Sequence, residues 1–226
     1  MVTVAEHIDS QAAAYGRLPL FEAFRQNKIP VERFADFFKE QYLAARLFQD
    51  LIWATTEIKE GPYAKFAARH RLMDSGHHLW MKQDLAKFGL PPMTTDDFFQ
   101  LEFLPTRIQM ARILALCHNA APEKRMVILA ALESAGSVTL GTLFGYVAAH
   151  GLLDQTAYLG QKHIDVENRQ VEQIHEVARE VLDSDSDYYK QVVDEVFDAL
   201  TTMFGQGGDR YYAPYLYAID DAACPA

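Results

Sequence analysis

Apolar positions recur at three- and four-residue steps through most of this chain, the rhythm that lines one face of an α-helix. Over 31–58, VERFADFFKEQYLAARLFQDLIWATTEI, the residues Phe34, Phe37, Phe38, Tyr42, Ala45, Phe48, Ile52 and Trp53 keep that rhythm with no Gly or Pro to interrupt it. Gly61-Pro62 opens a second long helix that Gly89 and Pro91-Pro92 close. A third is expected from about 105 to 119, and a fourth from Pro122 to 149 with Gly151 as its stop. Asp154 is placed to cap a fifth, reaching about 182. The DSDSD run turns the chain into a sixth over about 187–204, which GQGG is expected to end. Residues 3–27 read as one or two short covering helices. Nowhere do apolar and polar residues alternate between hairpin turns, so the pattern predicts a single all-α domain, 1–226, of about seven helices.

Composition narrows the setting. Half of the 226 residues are hydrophobic, enough for a sizeable core, and the formal net charge is −10. That sign argues against nucleic acid, whose backbone calls for a basic surface. Two cysteines, Cys117 and Cys224, make no disulfide framework, which points to a reducing, cytoplasmic setting. The opening MVTVAEHIDSQAAAYGR lacks a signal-type apolar core, and no run approaches ~18–20 uninterrupted apolar residues, so no membrane partner is expected.

The chemistry lies in polar residues that fall on helical faces. His70, Asp74 and His77 in RHRLMDSGHHLW, and His163 and Glu167 in GQKHIDVENRQ, are spaced by three, four or seven, so each pair shares a side of its helix. Between them, Glu133 is the lone acid of MVILAALESAGSVTLGTLFGYVAA. An acid in so apolar a segment is buried, and buried acids are paired or bind metals. Histidines and carboxylates converging inside a helical bundle are how proteins hold iron or manganese. Each residue also has an ordinary explanation. The first set fits a solvated helix face, Glu133 can accept from Arg107 or Arg112, and the polar 161–176 stretch can be an ion-paired surface helix.

The order and spacing of these residues resemble the heme-oxygenase-like di-iron oxidases, a superfamily that includes thiaminase II and pyrroloquinoline quinone synthase. The resemblance spans nearly the whole chain, beginning with LFEAFRQNKIPVERFADFFKEQYLAARLF and its Gln41-Tyr42 pair. His77 matches the histidine of the first ligand helix, with Asp74 three residues before it and His70 seven before. Glu133 matches the single glutamate of the middle helix, and His163 and Glu167 match the start of the last helix's His-x3-Asp-x2-His. Two positions depart: Asp74 has a shorter arm than glutamate, and Gln170 stands where a second histidine is expected, so a second metal site would be weak.

The resemblance implies an oxidase or oxygenase that binds one or two iron ions, activates dioxygen and oxidises a small organic substrate, with a second copy of the chain as partner in a homodimer. His77, His163, Asp74, Glu133 and Glu167 would be ligands, with His70 a further ligand or a group fixing ligand tautomers. Phe38, Tyr42, Phe144 and Tyr146 would line the substrate chamber. A thiaminase-II-like hydrolase would need a nucleophilic cysteine, for which Cys117 in ILALCHNA is the candidate. A heme-binding relative would use His7 and the glycines of LGTLFG, and a helical interaction protein would use none of these.

Overall fold

The computed structural model describes residues 1–91 and 93–217, among which every regular element is helical. In chain order these are α1 (Val4–Tyr15), α2 (Pro19–Arg25), α3 (Val31–Thr55), α4 (Ala64–Asp74), α5 (His77–Lys87), α6 (Thr95–Phe98), α7 (Leu104–Leu116), α8 (Pro122–Ala149), α9 (Gln161–Val177), α10 (Arg179–Leu182) and α11 (Asp187–Leu216). Single 3-10 turns at Leu101–Phe103 and Leu153–Gln155 lead into the neighbouring segments.

The most apolar helix, α8, runs through the centre, packing against α1, α2, α3, α9 and α11. By length and composition α8 would suffice to cross a bilayer, a property that the search for uninterrupted apolar runs overlooks. Within the fold, 72% of its most apolar 18-residue window is buried, so its apolar surface is already covered by protein. Aromatic side chains cement one side of the core. Phe24 meets Phe34, Tyr146 and Tyr212 edge-on at 5.1–6.0 Å between ring centroids.

Three expected boundaries are corrected. The helix expected over 61–89 is two helices, because Ser75 leaves the helical conformation and Gly76 takes φ +93°. Only glycine adopts that conformation at little cost. The amide of Gln49 on α3 spans the break: its oxygen accepts from Gly76 N at 3.2 Å, and its nitrogen donates to Asp74 O at 3.3 Å. Two of the backbone groups freed by the break, Asp74 C=O and Gly76 N–H, are thereby satisfied.

The fifth helix starts at Gln161 with Gly160 as its cap, not at Asp154, and a kink at Ala178 separates α10. The GQGG segment does not end the last helix, which continues to Leu216. Gly207 and Gly208 instead let α11 approach its neighbours closely. A Cβ on Gly207 would lie 3.1 Å from Glu40 Oε2 on α3, and one on Gly208 would lie 3.1 Å from Leu20 Cβ on α2.

Candidate metal centre

The break at Gly76 divides what reads in sequence as one polar stripe. His70 and Asp74 lie in the last two turns of α4, whereas His77 is the first residue of α5. His70 and Asp74 meet Glu133 from α8, and His77 meets His163 and Glu167 from the start of α9. Within each set one ligand atom from each residue lies within 4.8 Å of the others, and all six residues are buried. Their neighbour Gln170 is fully buried too.

In the first set, His70 Nε2 lies 3.1 Å from Glu133 Oε1 and 3.0 Å from Asp74 Oδ2. One ring nitrogen carries at most one proton, so it cannot donate to both carboxylates. Both carboxylates therefore compete for the same N–H, and the one that loses it keeps a buried oxygen short of a hydrogen bond. Gln170 donates to the other oxygen, Asp74 Oδ1. Burial alone would lower the pKa of His70, but the hydrogen bonds and charges of Asp74 and Glu133 outweigh it and push the imidazole up to about 10. Burial, reinforced by the Asp74 charge, pushes the Glu133 carboxyl well above the usual carboxylate range. Two acids and an imidazole thus crowd a space that favours added positive charge. Arg107 and Arg112, possible partners for Glu133 on sequence grounds, are engaged elsewhere: Arg107 with the Phe98 and Gln100 carbonyls, Arg112 with Glu195 and Asp198.

In the second set, His163 Nε2 lies 2.8 Å from Glu167 Oε1 and 3.3 Å from His77 Nδ1, with His77 Nδ1 3.5 Å from the same Glu167 oxygen. His163 Nδ1 lies 2.5 Å from the Tyr158 carbonyl. A carbonyl only accepts, so Nδ1 carries the proton. In the neutral ring, Nε2 then turns a lone pair toward Glu167 and His77. Burial, then the neighbouring His163, lowers the pKa of His77. Trp80 stacks on His77 at 4.9 Å and meets the His163 ring edge-on at 5.3 Å, holding both imidazoles in place. Two imidazoles and one carboxylate are the ligand set of many non-heme Fe(II) centres.

His77, Glu133 and Glu167 all face one cavity of about 100 Å³. Its remaining wall is largely apolar, with Phe48, Met110, Leu132, Leu140, Met203 and Phe204, and Gln41 is the polar residue noted earlier beside Tyr42. The residues expected to line a substrate chamber lie elsewhere. Phe38 packs on Phe34 and Phe88, and Tyr42 packs on Phe98. The Tyr146 ring stacks on Phe34, and its hydroxyl donates to Ile29 O. Phe144 is half-buried and is absent from the cavity wall. A 3.6-residue stripe marks a buried face without saying which neighbour that face meets, so core and cavity aromatics look alike in sequence. Cys117 is buried at the end of α7 with its thiol near Ile113 O, also away from the cavity. Cys224 lies outside the described residues. His7 pairs with Asp194 at 2.7 Å on the outer side of α1.

No protein-family model matches this chain, and no curated protein does. Its structure does have solved counterparts. A crystal structure of a domain of unknown function with a heme oxygenase-like fold, from Shewanella denitrificans OS217, aligns with a TM-score of 0.65. The alignment covers 98% of this chain and 95% of that one, at 17% sequence identity. The fold is heme oxygenase-like. At that identity the likeness concerns the path of the backbone, and the chemistry rests on the side chains of this chain.

Proposed function

We propose that the two triads bind iron and that the protein is an oxidase or oxygenase acting on a small organic substrate. The observation that carries this reading is the convergence of six buried nitrogen and oxygen donors in two tight groups, each within 4.8 Å. Asp74 Oδ2 and Glu133 Oε1 share one N–H of His70, and in the neutral His163 ring Nε2 offers a lone pair beside Glu167 Oε1, an arrangement that a cation between these groups would satisfy. The donor types are nitrogen and oxygen throughout, which suits Fe(II) better than the softer ions that sulfur ligands select. Iron held there would supply the electrons that reduce dioxygen.

The protein's own part follows from the geometry. His77, His163 and Glu167 present two nitrogens and an oxygen at one point, and His70, Asp74 and Glu133 present one nitrogen and two oxygens at the other. The apolar wall beside Glu133 and Glu167 excludes bulk water and receives the hydrocarbon part of a substrate, while Gln41 offers it an amide. Neither Cys117 nor His7 lines this chamber, so the hydrolase and heme-binding readings find no support there. We further propose a cytoplasmic setting, on the cysteine usage.

Anaerobic titration with Fe(II), counting bound metal and recording Mössbauer spectra, tests the reading. About two equivalents are expected in the wild type, and a large loss of binding is expected in both His163→Gln and Glu133→Gln. A folded protein that takes up no iron overturns the proposal.

A further inference from the structure

Asp84 is a charged residue with no exposed surface, and the iron reading leaves it without a role. It lies on α5 seven residues after His77, so two helical turns place both on nearly the same side. Its carboxylate accepts from Ala157 N at 2.7 Å and from Tyr158 N at 2.8 Å. These amides belong to the loop that enters α9, and the same Tyr158 supplies the carbonyl facing His163 Nδ1. The Tyr158 ring also packs on the His163 ring at 4.6 Å. The loop is tight as well: a Cβ on Gly160 would lie 2.8 Å from Thr156 O.

We infer that Asp84 is a positioning residue that sets the tautomer and direction of His163 through the backbone of Tyr158. The physical chain is short. A carboxylate that accepts two adjacent N–H groups fixes the orientation of that stretch of backbone, and the Tyr158 carbonyl is directed with it. A carbonyl held against Nδ1 requires the proton there and leaves Nε2 free to bind a cation. An ordinary loop anchor would need only one of these bonds and no particular carbonyl direction. Through Asp84, α5 therefore controls two imidazoles, its own His77 and the His163 of α9. This inference rests on the iron reading for its purpose but not for its geometry, and the test separates the two.

The readout is the 15N spectrum of histidine-labelled, metal-free protein, with the His163 signals assigned by their loss in His163→Gln. Wild type is expected to show His163 protonated at Nδ1. In Asp84→Asn one N–H acceptor becomes an amide donor facing a donor, so the His163 signals are expected to shift toward the Nε2-protonated form. Fe(II) affinity is expected to fall about 10- to 100-fold. Asp84→Glu, which keeps the carboxylate, is expected to restore part of both. Gly160→Ala strains the same loop from its other end and is expected to move the same signals if Asp84→Asn fails to fold. An unchanged His163 tautomer in folded Asp84→Asn and Gly160→Ala overturns the inference, whereas a shifted tautomer with unchanged affinity in an iron-binding wild type supports the positioning role and removes His163 from the ligands. A tautomer that shifts in a protein whose wild type binds no iron supports the positioning role and overturns the iron reading alone.

Discussion

Gln170 shows how one residue changes meaning between sequence and structure. In sequence it occupies the place of an expected histidine; in the fold its amide donates to Asp74 Oδ1 while its own Oε1 has no partner. It therefore orients Asp74 so that the other carboxylate oxygen meets His70. Replacing it with leucine would leave a buried carboxylate oxygen unpaired, a cost of about 1–3 kcal/mol to the metal-free protein that chemical denaturation would measure. Gln170→His is expected to retain more iron than wild type after gel filtration, because an imidazole there adds a ligand beside Asp74. Equal retention would show that position 170 only orients Asp74. Cys117 makes the opposite case, a reactive residue type in an inert place. Burial pushes its thiol up to about 11, so little thiolate forms at neutral pH. Iodoacetamide should leave it unmodified in the folded protein and label it in urea; rapid labelling under native conditions would contradict the burial.

Helical elements were largely readable in advance because their period is local, whereas their ends and partners depend on contacts distant in sequence. The 31–58 rhythm yields α3 to within a few residues. The break at Gly76 is stabilised by Gln49 from another helix, and the run through GQGG by close contacts to α2 and α3, so neither shows in a local window. The six residues of the two triads could be picked out for a similar reason: each lies at helical spacing from another or stands alone in apolar surroundings. Asp84 and Tyr158 escaped because their role is a loop bonded across 73 and 74 residues. Glycines test the distinction between strain and space. Gly141 and Gly145 sit within α8 with nothing within 4 Å of an added Cβ, so alanine there should stabilise by about 0.5–1 kcal/mol each through helix propensity. Gly76→Ala should instead cost about 1–2 kcal/mol, since φ +93° forces an L side chain into the left-handed region. Thermal unfolding that fails to move these variants in opposite directions would contradict the assigned backbone.

At the scale of the whole molecule, another buried acid ties together three helices that wall the cavity. Glu40 on α3 is almost wholly buried; it accepts from Thr106 on α7 and from Arg210 on α11, the latter at 3.1 Å. Burial raises the pKa of its carboxyl above the ordinary value even with these partners, so desolvation outweighs their help. Removing Arg210 while keeping the acid would strand a buried charge. The Arg210 side chain is about a quarter exposed, which tempers the loss, and Arg210→Met is expected to cost about 2–3 kcal/mol near pH 8. The sign of the pH dependence follows from the raised folded-state pKa. The folded state holds the proton more tightly than the unfolded chain, so stability is greatest below the unfolded pKa and falls as pH rises through the folded one. Losing Arg210 raises that folded value further, so the penalty should shrink as pH is lowered from about 8 toward about 5. The same substitution in a Glu40→Gln background removes the charge to be stranded and should cost less, with little pH dependence. Guanidinium unfolding of the four proteins across this range is the measurement. A penalty that stays constant with pH, or that is as large with glutamine at position 40, would show that Arg210 acts by packing and not as the counter-charge that lets α3, α7 and α11 close around a buried acid.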